Sequence, residues 1–91
     1  MTPSGPGLIR GVVLAKGRRP VADARVFFIS GPVPLPDIAA MAGTDGAFVL
    51  TAPAPGTYEV GAAADGFNQA SAMVRVGEGG TANVTLTLTP A

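Results

Sequence analysis

From Thr44 to Phe67 the chain reads turn, strand, turn, strand, turn, and that punctuation leaves few folds open. Asp45-Gly46 and Pro55-Gly56 supply the positive-φ glycine and fixed-φ proline that tight turns need, and Asp65-Gly66 repeats the first pattern. Between these turns Phe48 and Leu50, then Tyr58, Val60 and Ala62, recur at every second position, the period of a half-buried strand. Thirteen Gly and nine Pro among 91 residues extend the same message to the whole chain, which suits an all-β domain better than a helical bundle. A chain of this length holds one core and buries only about two-thirds of its unfolded surface. Without Trp, that core is built from Val, Leu, Ile and Ala around a few rings.

Residues 1–7 are expected to be a disordered leader or linker, because Pro3, Gly5, Pro6 and Gly7 prevent regular structure. A first strand is expected from Leu8 to Ala15, with Ile9, Gly11 and Val13 on one face, followed by a basic turn from Lys16 to Pro20. The second, Arg25 to Ser30, is apolar on both faces, Val26 and Phe28 against Phe27 and Ile29. Such a strand is either central or carries an outward patch that something covers. Further strands follow at about Ala47–Thr51, Thr57–Ala64, Gln69–Val76 and Thr81–Thr89. The fifth places Ala70, Ala72, Val74 and Val76 on one face and Met73 and Arg75 on the other, and Glu78-Gly79-Gly80 reads as a hairpin-type turn. The last strand alternates most clearly, with Val84, Leu86 and Leu88 inward and Asn83, Thr85, Thr87 and Thr89 outward. Pro90 and Ala91 are left as a tail. Short connections between about six or seven strands define a two-sheet sandwich.

The longest irregular stretch runs from Gly31 to Gly43. Pro32, Pro34 and Pro36 alternate along it, exclude a central strand and favour extended geometry. Asp37 to Met41 has the makings of one helical turn capped by Asp37. Val33, Leu35, Ile38 and Met41 are the apolar residues of this loop. They serve either as a partner-contact surface or as a cover over Phe27 and Ile29.

Six basic and six acidic residues leave no net charge, so no long-range field attracts nucleic acid, an anionic membrane or an acidic substrate. No apolar run approaches the ~18 residues of a membrane span, and nothing in the sequence resembles a signal peptide. Cysteine and histidine are both absent, which removes disulfides, thiol chemistry, the usual neutral-pH base and the commonest metal ligands. Ser30, Ser71 and the threonines therefore lack a partner base, and no enzymatic activity and no cofactor are expected. Calcium needs clustered oxygens, whereas Asp37, Asp45 and Asp65 fall in separate loops where turn and capping roles explain them, so no metal site is expected.

The ordered elements Gly11-Val12-Val13, Pro20-Val21-Ala22-Asp23-Ala24-Arg25-Val26, Asp45-Gly46-Ala47-Phe48-Val49-Leu50, Pro55-Gly56-Thr57-Tyr58-Glu59-Val60, Gly66-Phe67 and Val74-Arg75-Val76, with a Thr/Leu-rich last strand, resemble the carboxypeptidase regulatory-like domain family. The resemblance covers residues 8–89 and implies a prealbumin-like (transthyretin-type) Greek-key β-sandwich of about seven strands. A fibronectin-III-like adhesive sandwich is the alternative fold. The family's threonine and aspartate before the third-strand turn are replaced here by Ala42 and Gly43.

What the family implies is a non-catalytic structural or protein-interaction accessory module, working with a protein partner or within a parent multidomain protein. It also implies an extracytoplasmic setting, at the cell surface, secreted or periplasmic; a chain complete as given would instead be expected in the cytoplasm. The alternative is a carbohydrate-binding module of the starch-binding-like sandwich type with a glycan as ligand. That role needs exposed rings, and Phe48, Tyr58 and Phe67 are more simply read as core, leaving only Phe27 ambiguous. An isopeptide cross-link of the kind found in related adhesins would need Lys16, Asn83 and Glu59 buried together, whereas the alternation sends all three outward.

Overall fold

A computed structural model describes residues 7–34 and 39–91. In chain order the strands are β1 (Gly7–Ala15), β2 (Arg19–Pro20), β3 (Arg25–Ser30), β4 (Ala39–Met41), β5 (Ala47–Ala52), β6 (Gly56–Ala63), β7 (Phe67–Asn68), β8 (Ala70–Val76), β9 (Thr81–Thr87) and β10 (Thr89–Pro90). They form a Greek-key β-sandwich. In the first sheet β1 is central, with β5 antiparallel on one side and β9 parallel on the other, and β2 pairs with the end of β1 beyond β5. The second sheet is antiparallel throughout, in the order β4-β3-β6-β8. The two short strands β7 and β10 pair with each other, and the Ala91 amide donates to the Gly66 carbonyl (3.0 Å).

The alternation read from the sequence sets the faces. Ile9, Val13, Val26, Phe48, Leu50, Tyr58, Val60, Val74, Val76, Leu86 and Leu88 are buried between the sheets, and Phe28 and Val84 pack against them half-buried. Gly11 also points inward, opposite Phe48 on β5. A Cβ there would lie 2.7 Å from the Phe48 ring and 2.2 Å from the Val84 carbonyl oxygen of β9. The missing side chain is therefore the space into which a ring from one neighbour and the backbone of the other close.

Two local expectations are corrected. The turn at residues 77–80 forms, with the Gly80 amide donating to the Gly77 carbonyl (3.1 Å) and Gly79 at φ 61°, but it does not close a hairpin. It carries the chain from β8 in one sheet to β9 in the other, where β9 pairs in parallel with β1. Burial drives this: Leu86 and Leu88 reach the core only from the β1 sheet. The helical turn expected over Asp37 to Met41 is also overturned, because Ala39–Met41 is an edge strand beside β3. Asp37 and Pro36 lie outside the described residues. One amide-to-carbonyl bond in each direction between Ala24 and Ala42 and their neighbours extends that pairing: Ala42 donates to Ala24 (2.9 Å) and Asp23 to Ala42 (3.1 Å). A strand there satisfies backbone groups that a helical turn would have left facing the sheet edge.

Gly11→Ala should lower stability by about 1–3 kcal/mol in chemical denaturation, the range for forcing atoms into a packed site. Gly77→Ala, where a Cβ meets nothing within 4 Å, should stay within about 0.5 kcal/mol of wild type. Equal effects at the two positions would contradict the close approach of β9 and Phe48 at Gly11.

Candidate functional site: an apolar sheet face and an open sheet edge

Among the described residues no charged or polar side chain is buried, apart from the phenol of Tyr58, and that phenol is fully engaged. Its hydroxyl donates to the Ala54 carbonyl and accepts from the Ala54 amide (3.1 Å). Tyr58 thus pins the Pro53–Pro55 turn to the base of β6, while its ring lies 5.2 Å, centroid to centroid, from that of Phe28. This is the logic of a tyrosine corner, in which one ring fills the core and its polar end closes the adjacent turn.

Polar side chains elsewhere do turn work. The Asp45 carboxylate accepts from the Ala47 amide (3.1 Å), and Gly46 at φ 76° completes a turn in which the Gly43 amide donates to Ala47 (2.9 Å). Asp65 approaches Arg25 at 3.7 Å, with the carboxylate fully exposed and the Arg25 side chain half-exposed, a surface pair that contributes little. Among the described residues no three acidic side chains gather as metal ligands, and Asp37 lies outside them. Lys16, Asn83 and Glu59 sit on a turn, the outer face of β9 and the outer face of β6, far from a shared buried position. No described helix is long and apolar enough to cross a membrane.

Among the described residues, Leu8 and Val49 expose apolar surface on the first sheet, and a larger apolar patch forms on the outer face of the second sheet. Phe27 on β3 lies across from Gly61 on β6, and a Cβ at Gly61 would meet the Phe27 ring at 2.8 Å and Ile29 Cδ1 at 2.9 Å. The absent side chain lets both residues lie flat on the sheet. A register shift between Phe28 and Ser30 keeps Ile29 on this side. Met41, paired with Arg25, and Met73, paired with Glu59, flank them. Ile29, Met41 and Met73 are 44%, 58% and 62% exposed, three of the five large apolar side chains that stand out from the surface among the described residues. Glu59 crosses the face and accepts from the Ser71 hydroxyl (3.3 Å).

Of the four loop residues singled out from the sequence, Met41 joins this face from β4 and Val33 is half-buried. Leu35 and Ile38 lie outside the described residues. Ile29 stands beside Phe27 as the outward patch read from the sequence, and Met73 belongs to the face although the sequence reading did not propose it. The signal was present in the two-sided β3 and in the odd register of Met73, but only the sheet order brings them side by side.

A second feature is an edge. β5 pairs with β1 alone, and the β4 strand that faces it from the other sheet forms no ladder with it. The cleft between them is lined by Phe28, Ala40, Leu50 and Pro53 from within and by Val49 and Thr51 along its rim.

The sequence pattern of the carboxypeptidase regulatory-like domain family matches residues 8–89, and the chain belongs to that family. No curated protein sequence matches it. Among solved structures, it resembles a DUF3823 family protein from Parabacteroides merdae at 22% identity and a TM-score of 0.66, covering 97% of this chain and 48% of that one. It also resembles hydroxyquinol 1,2-dioxygenase from Pseudomonas putida at 12% identity and a TM-score of 0.72, covering 100% of this chain and 58% of that one. These likenesses establish the fold alone, and the chain spans about half the length of each neighbour.

Tyr58→Phe keeps the ring and removes the hydroxyl, leaving the Ala54 amide and carbonyl without their partner. The loss should be about 1–3 kcal/mol, read by chemical denaturation. A change below about 0.5 kcal/mol, the level of an ordinary surface substitution, would show that the corner does not hold the turn.

Proposed function

We propose that the chain is a non-catalytic structural and protein-interaction module, acting in an extracytoplasmic setting within or beside a larger protein. The observation that carries this reading is the coincidence of an interior committed to packing with an apolar outer sheet face formed by Phe27, Ile29, Met41 and Met73. Apolar groups kept in water on one face are the ordinary mark of a contact surface. Met41 lies on that face, and Val33, Leu35, Ile38 and Met41 are proposed as the partner-contact loop. Family membership supports the accessory role, and the share of each structural neighbour that the fold occupies supports its working as one part of a larger assembly.

No observation favours the glycan reading to the same degree. Phe48 and Tyr58 are buried, and Phe27, Phe28 and Phe67 are half-buried, so no ring stands free as a sugar platform. Titration with soluble starch, chitin and xylan oligosaccharides should leave the amide spectrum unchanged. Saturable shifts clustered around Phe27, Tyr58 or Phe67 would replace the interaction-module reading with carbohydrate recognition. In the same preparation, Met41→Ser with Met73→Ser should melt within a few degrees of wild type, as expected for side chains already in water. A large fall would mean that the face is covered by the domain itself.

A further inference from the structure

The β5 edge carries unpaired backbone groups in a defined pattern. The Val13 amide donates to the Gly46 carbonyl (2.8 Å), whereas Leu8 donates to Gly80 (2.9 Å) and Leu14 accepts from Leu88 (2.8 Å). Odd residues of β1 therefore bond towards β5 and even ones towards β9. By alternation along the antiparallel register, Phe48 and Leu50 turn their amides and carbonyls to Gly11 and Ile9. Ala47, Val49 and Thr51 turn theirs away. Ala47 is satisfied by Asp45 and Gly43, which leaves the amide and carbonyl of Val49 and of Thr51 without a partner among the described residues. The next outward position is Pro53, which has no amide and ends the open edge.

The cleft beside this edge is apolar on its inner wall, with Phe28, Ala40, Leu50 and Pro53. Resting on the interaction-module reading, we propose that β5 is a strand-addition site. An extended peptide segment of another protein pairs with Val49 and Thr51 and seats one aliphatic side chain in the cleft between the sheets. Charge selects the occupant: no charged residue lies between Asp45 and Glu59, and Ala39 and Ala40 face them across the cleft. A charged segment would be desolvated there without compensation, whereas an uncharged one matches. A second copy of this chain fits less well. Its own Phe48, Leu50 and Ala52 are buried in its core at 4%, 6% and 0% exposure, so pairing β5 with β5 would satisfy the backbone and leave the cleft empty. A free strand does both.

The probe is an acetylated, amidated heptapeptide of alternating threonine and valine, titrated into the whole chain with the amide spectrum as readout. Saturable shifts should centre on Val49, Leu50 and Thr51. Thr51→Pro, which deletes an outward amide at an edge where proline is tolerated, should weaken binding about tenfold or more, while Thr51→Val, which keeps that amide, should bind as wild type. A peptide N-methylated along its backbone should not bind, and this arm stands even if Thr51→Pro fails to fold. Binding of the methylated peptide, shifts confined to Ile29, Met41 and Met73, or no saturable shifts would each overturn the strand-addition site while leaving the module reading intact. Concentration-dependent dimerisation that protects Val49 and Thr51 would overturn it in favour of a second copy. Cleavage of the bound peptide would instead overturn the non-catalytic reading.

Discussion

Gly11 is the point at which three strands are brought to contact distance. The chain's first long strand lies between β5 and β9, and the absent Cβ admits the Phe48 ring on the core side and the Val84 carbonyl beside it. Because β9 runs parallel to β1, it arrives from the far end of the sequence, after the chain has built the whole second sheet. The sandwich is thus closed by a long-range contact. Ile9, Val13, Phe48 and Leu86 are filled against one another at 0%, 0%, 4% and 1% exposure.

Gly61 repeats the device on the opposite surface of the second sheet, where its missing side chain accommodates Phe27 and Ile29. The same physical economy, glycine opposite a ring, fixes a packed core at one position and a flat apolar face at the other. Tyr58 links the two ends of this logic: its ring joins Phe28 in the core while its hydroxyl holds the Pro53–Pro55 turn that limits the open β5 edge. Edges are normally blunted by charge, proline or short length. β4 is three residues long and β8 carries Arg75, whereas β5 and β9 are both uncharged edges of the first sheet; the apolar cleft lies beside β5, whose proline comes only at its end, after Val49 and Thr51.

Much of the fold is legible in residues because burial has a period of two. Phe48 and Leu50, Tyr58 and Val60, and Val84, Leu86 and Leu88 announce their inward faces directly, and the turn glycines mark where strands end. Pairing is a different kind of information. The Glu78-Gly79-Gly80 turn has hairpin composition, yet the side chains that follow it are needed in the other sheet, and only the global packing decides that. β4 was hidden for the converse reason: Ala39-Ala40-Met41 has weak strand propensity, and its partner on β3 supplies the stabilisation. The apolar face was partly legible, through Phe27 and Ile29 on the two-sided β3 and through Met41. Met73 joined it only when the order β4-β3-β6-β8 set four strands side by side.

The open edge of β5 at Val49 and Thr51, an unpaired and uncharged run of backbone beside an apolar cleft, is what defines the proposed strand-addition site. Amide hydrogen exchange of the free protein tests it residue by residue. The Phe48 and Leu50 amides, bonded to β1, should exchange at least about a hundredfold more slowly than those of Val49 and Thr51, which face outward. Uniform protection along β5 would contradict the open edge, and uniform rapid exchange would contradict the pairing of β5 with β1.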